Sequence, residues 1–250
     1  MLPSAVACFT FDNMGEAADV GAGRLSGPRT GATDPSLERG YPAILDLLDE
    51  RRVRGSFFVE GWNGEHHPEA VAEVVRRGHE LGMHGWLHES WHELPPDEEE
   101  ELAERATAAL ERAARVRPAG FRAPGGARSP STDAILARLD YAYDASLGDG
   151  MRPRLLPSGL AQVPFVWPCV DGFHYLRDRP ALPTEVCAGW LRALEGTAER
   201  GGLFLTICHA FLTGVDPERL AALDRVIAAA VADSRLTIMT TGEVARALRA

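Results

Sequence analysis

The sequence predicts an α/β protein, a (β/α) barrel of about seven parallel strands filling residues 1–250 as a single domain. Short apolar runs alternate with helix-period segments from end to end, the pattern of a parallel sheet with helices outside. No composition shift, low-complexity tract or linker divides the 250 residues, an ordinary length for one barrel. Polar residues with chemical potential also fall repeatedly at the ends of the apolar runs, where α/β barrels collect reactive groups.

The elements follow in order. Residues 5–11 form a continuous apolar run closed by Asp12 and Asn13, as in a buried strand. Residues 14–34 hold five glycines and no period, and read as a long loop. Asp34-Pro35-Ser36 gives an N-cap with proline at N1, and a helix to about Arg51 follows. Residues 55–59 are the second strand. A helix from Pro68 stops near Gly78, and residues 80–83 form a third strand running into His84. Pro95-Pro96-Asp97 opens a helix over about 98–115, whose Glu98 to Glu101 block suits a helix N-terminus. Residues 120–124 read as the fourth strand, 141–146 as the fifth, 162–167 as the sixth and 203–209 as the seventh. Helices are predicted near 131–139, 184–199 and 217–232; a last strand at 236–240 leads into a closing helix from Thr241.

Composition excludes several functions. The net charge of −10 argues against nucleic-acid binding and against an anionic membrane surface. No apolar run reaches the length of a membrane span. All 26 basic residues are arginine, which removes Schiff-base and lysine-nucleophile chemistry. Gly21, Gly23 and Gly27 have the wrong spacing for a dinucleotide loop. Cys8, Cys169, Cys187 and Cys208 are at no metal-site spacing and read as reduced thiols. Residues 1–4 are too short for a secretory leader, so the expected location is cytoplasmic and the expected partner a small intracellular molecule. Exposed aromatics would mark either a ligand surface or a homo-oligomer contact.

The chemistry centres on His84-Gly85-Trp86-Leu87-His88. A helix starting at His84 would place both imidazoles on one face, within reach of one metal ion. Taken alone this spacing is a weak signal, and His209 alone reads as a core histidine. Asp12-Asn13 could be a turn, Arg122 a surface ion pair and Asp144 a strand-end cap. Their shared position at strand ends favours a common site.

These residues resemble, in order, the motifs of the polysaccharide deacetylases, the carbohydrate-esterase group with a NodB-type domain. Thr10-Phe11-Asp12-Asn13 resembles the first motif, His84 to His88 the second, Arg122-Ala123-Pro124 the third, Asp144 the fourth and Cys208-His209 the fifth. The resemblance implies a deformed, NodB-type (β/α) barrel, one divalent metal, usually Zn2+, and hydrolysis of an N-acyl C–N bond. It implies His84, His88 and Asn13 as metal ligands, Asp12 as general base, Arg122 orienting Asp12, and His209 as general acid held by Asp144. Pro124 is expected to contact substrate, and Trp86, Trp91 and Trp167 either shape the substrate pocket or pack in the core.

The first motif normally carries two aspartates, and Asn13 is a neutral, weaker ligand than a carboxylate. Asp12 could take its place on the metal, leaving Glu16 or His209 as base. The stretch from Asp34 to Pro42 and the missing leader are more similar to the cytoplasmic branch with allantoinase-like and cyclic-imide-cleaving members. Three functions follow as expectations: deacylation of a small amide or amino sugar, ring opening of a cyclic imide or ureide, or a ligand-binding pseudoenzyme with an impaired metal site.

Overall fold

The computed structural model describes residues 1–29, 34–148 and 150–250. The strands among them are β1 (Ala5–Asp12), β2 (Ser56–Val59), β3 (Glu80–Met83), β4 (Gly120–Phe121), β5 (Tyr143–Asp144), β6 (Arg154–Leu155), β7 (Ala161–Gln162), β8 (Gly202–His209) and β9 (Thr237–Ile238). They form one sheet in the order β6-β7-β5-β4-β3-β2-β1-β8, with β9 on β1. Every pairing among these strands is parallel except β6 with β7. Two isolated parallel bridges, Leu147 with Phe165 and Val170 with Ile207, carry the chain after β7 back towards β8 and curl the sheet into the deformed barrel.

β1 is the spine. All eight of its residues are buried, as an unbroken apolar strand between two layers requires. β8 pairs with it along its whole length, from Ala5 opposite Gly202 to Asp12 opposite His209. β2 takes Thr10 to Asp12 on the other edge, and β9 takes Val6 and Ala7. Phe9, Phe11 and Phe57 join Ile44 and Leu48 in the main core beneath the outer helices.

Register then dictates the rim. Val59 lies opposite Met83, so Glu60 and His84 leave adjacent strands side by side. Met83 lies opposite Phe121, which puts Arg122 next to His84. Glu60 is further fixed by the short helix Gly61–His66, which lies against the long helix Pro96–Ala114. A Cβ on Gly61 would come within 2.3 Å of the Ala106 Cα, so only glycine permits this approach.

Several boundaries differ from the sequence reading. The fifth strand shrinks to Tyr143–Asp144 and the sixth to Ala161–Gln162. Pro164 has no N–H to donate to a ladder, and a 3-10 turn, Trp167–Cys169, follows. The antiparallel β6 is absent from the sequence reading; it is two exposed residues, Arg154 and Leu155, too short to show an alternating or continuous apolar pattern. The expected loop at 14–34 holds a short helix, Ala17–Gly21, and its residues 30–33 lie outside the described residues. No helix among the described residues is long and apolar enough to cross a membrane.

Candidate active site

The strand ends of β1, β3, β4 and β8 open into one pocket of about 330 Å³, lined by Asp12, Asn13, His84, His88, Arg122 and His209. An apolar wall of Phe165, Trp167, Val170, Phe173, Leu176 and Ile207 completes it.

His84 is buried, and its Nδ1 lies 2.8 Å from the Arg122 carbonyl oxygen. A carbonyl only accepts, so Nδ1 carries the proton and Nε2 keeps its lone pair. Burial pushes its pKa down to about 3, so the ring is neutral. Burial and the neighbouring His209 likewise lower His88. The two rings lie with centroids 5.1 Å apart, yet no helix joins them. Gly85 and His88 have φ of 73° and 65°, left-handed values that break a helix. The Glu89 carboxylate accepts from the Trp86 and Leu87 N–H groups at 3.0 and 2.7 Å, so a side-chain-capped turn brings the histidines together.

Asp12 and Arg122 form a buried ion pair, with Arg122 Nη1 donating to Asp12 Oδ1 at 2.6 Å. Arg122 is 1% exposed, which corrects the surface ion pair that its sequence allowed. Its Nη1 also donates to Thr10 Oγ1 at 2.9 Å and its Nε to the Ala145 carbonyl at 2.8 Å. The guanidinium lies 4.1 Å over the Phe58 ring. The bonds from Nε and Nη1 fix the guanidinium and, through Nη1, the carboxylate, while the buried Nη2 has no hydrogen-bond partner among the described residues. Asp12 Oδ2 lies 4.0 Å from His84 Nε2.

His209 is held by Asp171. Its Nδ1 lies 2.5 Å from Asp171 Oδ1, which also accepts from the Gly172 N–H at 2.6 Å. Asp171 Oδ2 accepts from the His209 N–H at 2.8 Å and Thr213 Oγ1 at 2.6 Å. Burial alone would lower the His209 pKa, but the Asp171 charge and hydrogen bond outweigh it and raise the value. With Nδ1 committed to Asp171, Nε2 is the nitrogen left for the pocket.

Asp144, expected as the partner of His209, is elsewhere. β5 lies five places from β8 along the sheet, whereas Val170 bridges directly to Ile207 and delivers Asp171. Asp144 accepts from the Ser146 N–H and Oγ at 3.2 and 2.5 Å and lies 3.4 Å from Arg128 Nε. Burial pushes it up to about 6.

Of the expected substrate contacts, Trp167 lines the pocket and is 39% exposed. Trp86 does not: it is buried under the Arg105 guanidinium, 3.6 Å over its ring. Trp91 is fully buried, donates to Glu99 at 2.7 Å and packs 5.0 Å from Phe121. Both serve packing against the helix Pro96–Ala114. Pro124 is buried beside Gly85, and its neighbours Ala123 and Gly125 line the pocket instead. Glu16, the alternative base, is buried away from the lining, accepting from the Arg29 N–H at 3.0 Å and contacting His67 at 3.2 Å.

Asn13 has φ of 60°, a left-handed conformation that asparagine tolerates. Its Nδ2 donates to Glu60 Oε1 at 2.7 Å, so Oδ1 is the atom left to accept on a residue that lines the pocket. Among the described residues, no three His, Cys, Asp or Glu side chains converge as a metal cluster. Two neutral imidazoles with an amide oxygen remain, and this nitrogen–oxygen donor set fits a borderline divalent ion such as zinc.

Glu60 and Asp171 were missed by the sequence reading. Both directly follow apolar runs, so the strand-end rule that singled out Asp12 and His209 could have found them.

A curled parallel sheet with this rim of histidines and carboxylates defines a NodB-type hydrolase scaffold. The family model for polysaccharide deacetylase matches residues 4–143, and the chain belongs to that family. A crystal structure assigned to a polysaccharide deacetylase of Mycobacterium smegmatis superposes with a TM-score of 0.89 at 30% identity, covering 100% of this chain and 91% of that one. The Puue allantoinase structure has a TM-score of 0.80 at 20% identity, covering 97% of this chain and 90% of that one, a likeness of fold. The peptidoglycan deacetylase-like protein of Gibberella zeae is 29% identical over 110 residues. That match covers 43% of this chain and 32% of the relative, so the chain spans about a third of its length.

Proposed function

We propose that this chain is a metal-dependent hydrolase that cleaves the N-acyl C–N bond of a small cytoplasmic amide or amino sugar. The observation that carries the reading is that Asp12 with Arg122 and His209 with Asp171 end adjacent, register-paired strands at the pocket holding His84, His88 and Asn13. His84 Nε2, His88 and Asn13 Oδ1 would hold the ion. A bound divalent cation supplies Lewis acidity towards the carbonyl and the attacking water.

The chain's own residues do the rest. Asp12, steered through Oδ1 by Arg122, offers Oδ2 to take a proton from the attacking water. His209, raised by Asp171, carries a proton that Nε2 delivers to the leaving nitrogen, since an unprotonated amine leaves poorly. The apolar wall offers a surface for the carbon part of the substrate. A pocket of about 330 Å³ suits a compact substrate better than a polymer groove.

The same compact, apolar-walled pocket also suits a flat ring, which keeps cyclic-imide opening as the second reading. A panel of N-acetylated sugars, aryl acetamides and cyclic imides separates them. The expected result is acylate release from the open-chain amides, stopped by chelation. Ring opening with no deacylation would replace the first reading by the second. No turnover of any member by the zinc-loaded protein would overturn both.

A further inference from the structure

Asn13 stands where a carboxylate is expected, and the carboxylate is present one residue behind it. Glu60 is fully buried at the end of β2 and accepts three hydrogen bonds. Its Oε1 accepts from Asn13 Nδ2 at 2.7 Å. Its Oε2 accepts from the Met14 N–H at 3.0 Å and from Asn63 Nδ2 at 3.1 Å. The division of labour is strict: one oxygen serves Asn13, and the other serves a backbone N–H that cannot change its character.

We infer that Glu60 is the positioning residue that holds the Asn13 amide with its oxygen to the pocket, so that the two side chains together replace the expected aspartate. This rests on the proposed metal site. Donor and acceptor matching carries it. With an ionised glutamate at 60, which the bonds from Met14 and Asn13 favour although burial pushes its pKa up to about 8, Asn13 turns its NH2 inward, and Oδ1 is then the atom offered to a cation. With glutamine at 60, the Met14 N–H and Asn63 Nδ2 fix the glutamine oxygen in the Oε2 place. The glutamine NH2 then faces Asn13, whose amide must flip and present NH2 to the pocket, where it cannot ligate. Aspartate at 13 alone sets two acceptors face to face across the 2.7 Å now bridged by a donor. Exchanging both residues restores all three bonds, because a glutamine at 60 would donate to an aspartate at 13 while its oxygen still serves Met14 and Asn63. Asn13 is therefore one half of a matched pair rather than a decayed aspartate.

The test is a double-mutant cycle of Glu60→Gln, Asn13→Asp and the double exchange. Zinc affinity is read by calorimetry, and stability by thermal unfolding in EDTA. Glu60→Gln is expected to weaken zinc binding about 10- to 100-fold, the usual effect of losing an outer-shell partner. The double exchange is expected to bind zinc at least as tightly as wild type, and in EDTA to melt above both single variants. If Glu60→Gln does not fold, the double exchange compared with Asn13→Asp carries the same test. Wild-type affinity in Glu60→Gln, or a double exchange no better than the single variants, overturns the inference. Additive melting in EDTA overturns the pairing itself. A wild-type protein that binds no zinc, with the melting recovery intact, overturns the metal role and identifies the proposed function as the part that failed.

Discussion

Replacing Asp171 by asparagine lowers kcat/KM by about 10²- to 10⁴-fold, the usual worth of a positioned acid or base, and moves the alkaline limb of the pH profile to lower pH. In the proposed mechanism the acid form of His209 is the imidazolium, so activity is expected to fall as pH rises through its pKa. Burial pulls that pKa down, and Asp171 more than offsets it through charge and the 2.5 Å bond to Nδ1. Without the charge, burial wins, the pKa drops and the proton is lost earlier on the alkaline side. An asparagine can also turn its NH2 towards Nδ1 and force the wrong tautomer. The check is the pH dependence of kcat/KM for both proteins. Asp144→Asn serves as control: Asp144 is bonded to Ser146 and Arg128 away from the pocket, so the limb should stay in place. A limb that moves with Asp144 and not with Asp171 would reverse the assignment.

His84→Ala is the second large effect, a loss of kcat/KM of about 10³-fold or more. Metal ions contribute several kcal/mol to charge stabilisation in the transition state, and each 1.36 kcal/mol is about tenfold in rate. Removing His84 takes away one proposed ligand and strips the Arg122 carbonyl of its donor. An unpaired buried acceptor costs about 1–3 kcal/mol of stability, so a lower melting temperature should accompany the rate loss. Excess zinc restores activity to chelated wild type and not to this variant. A His84→Ala protein with wild-type kcat/KM would remove the metal from the account.

The sequence made the rim visible because buried parallel strands announce themselves as continuous apolar runs. Asp12, His84, Arg122 and His209 follow such runs, and register places them together without any further signal. What it hid depends on direction rather than position. Trp86 and Trp91 lie within eight residues of His84, but packing against the helix Pro96–Ala114 turns them away from the pocket. The spacing of the histidines suggested a helix, while Gly85, the one local clue to a left-handed turn, sits between them. Asp144 was tied to His209 by motif order alone, and sheet order separates them. Glu60 was passed over although it directly follows an apolar run, and nothing local reveals that Asn13 would lie 2.7 Å away.

The most direct measurement is a zinc titration of the chelated wild-type protein with binding and amide hydrolysis followed in the same samples. The account predicts one tight site whose occupancy and activity rise together, with both lost in His84→Ala. Full hydrolytic activity in the zinc-free protein, or zinc binding unaffected by His84→Ala, would contradict it.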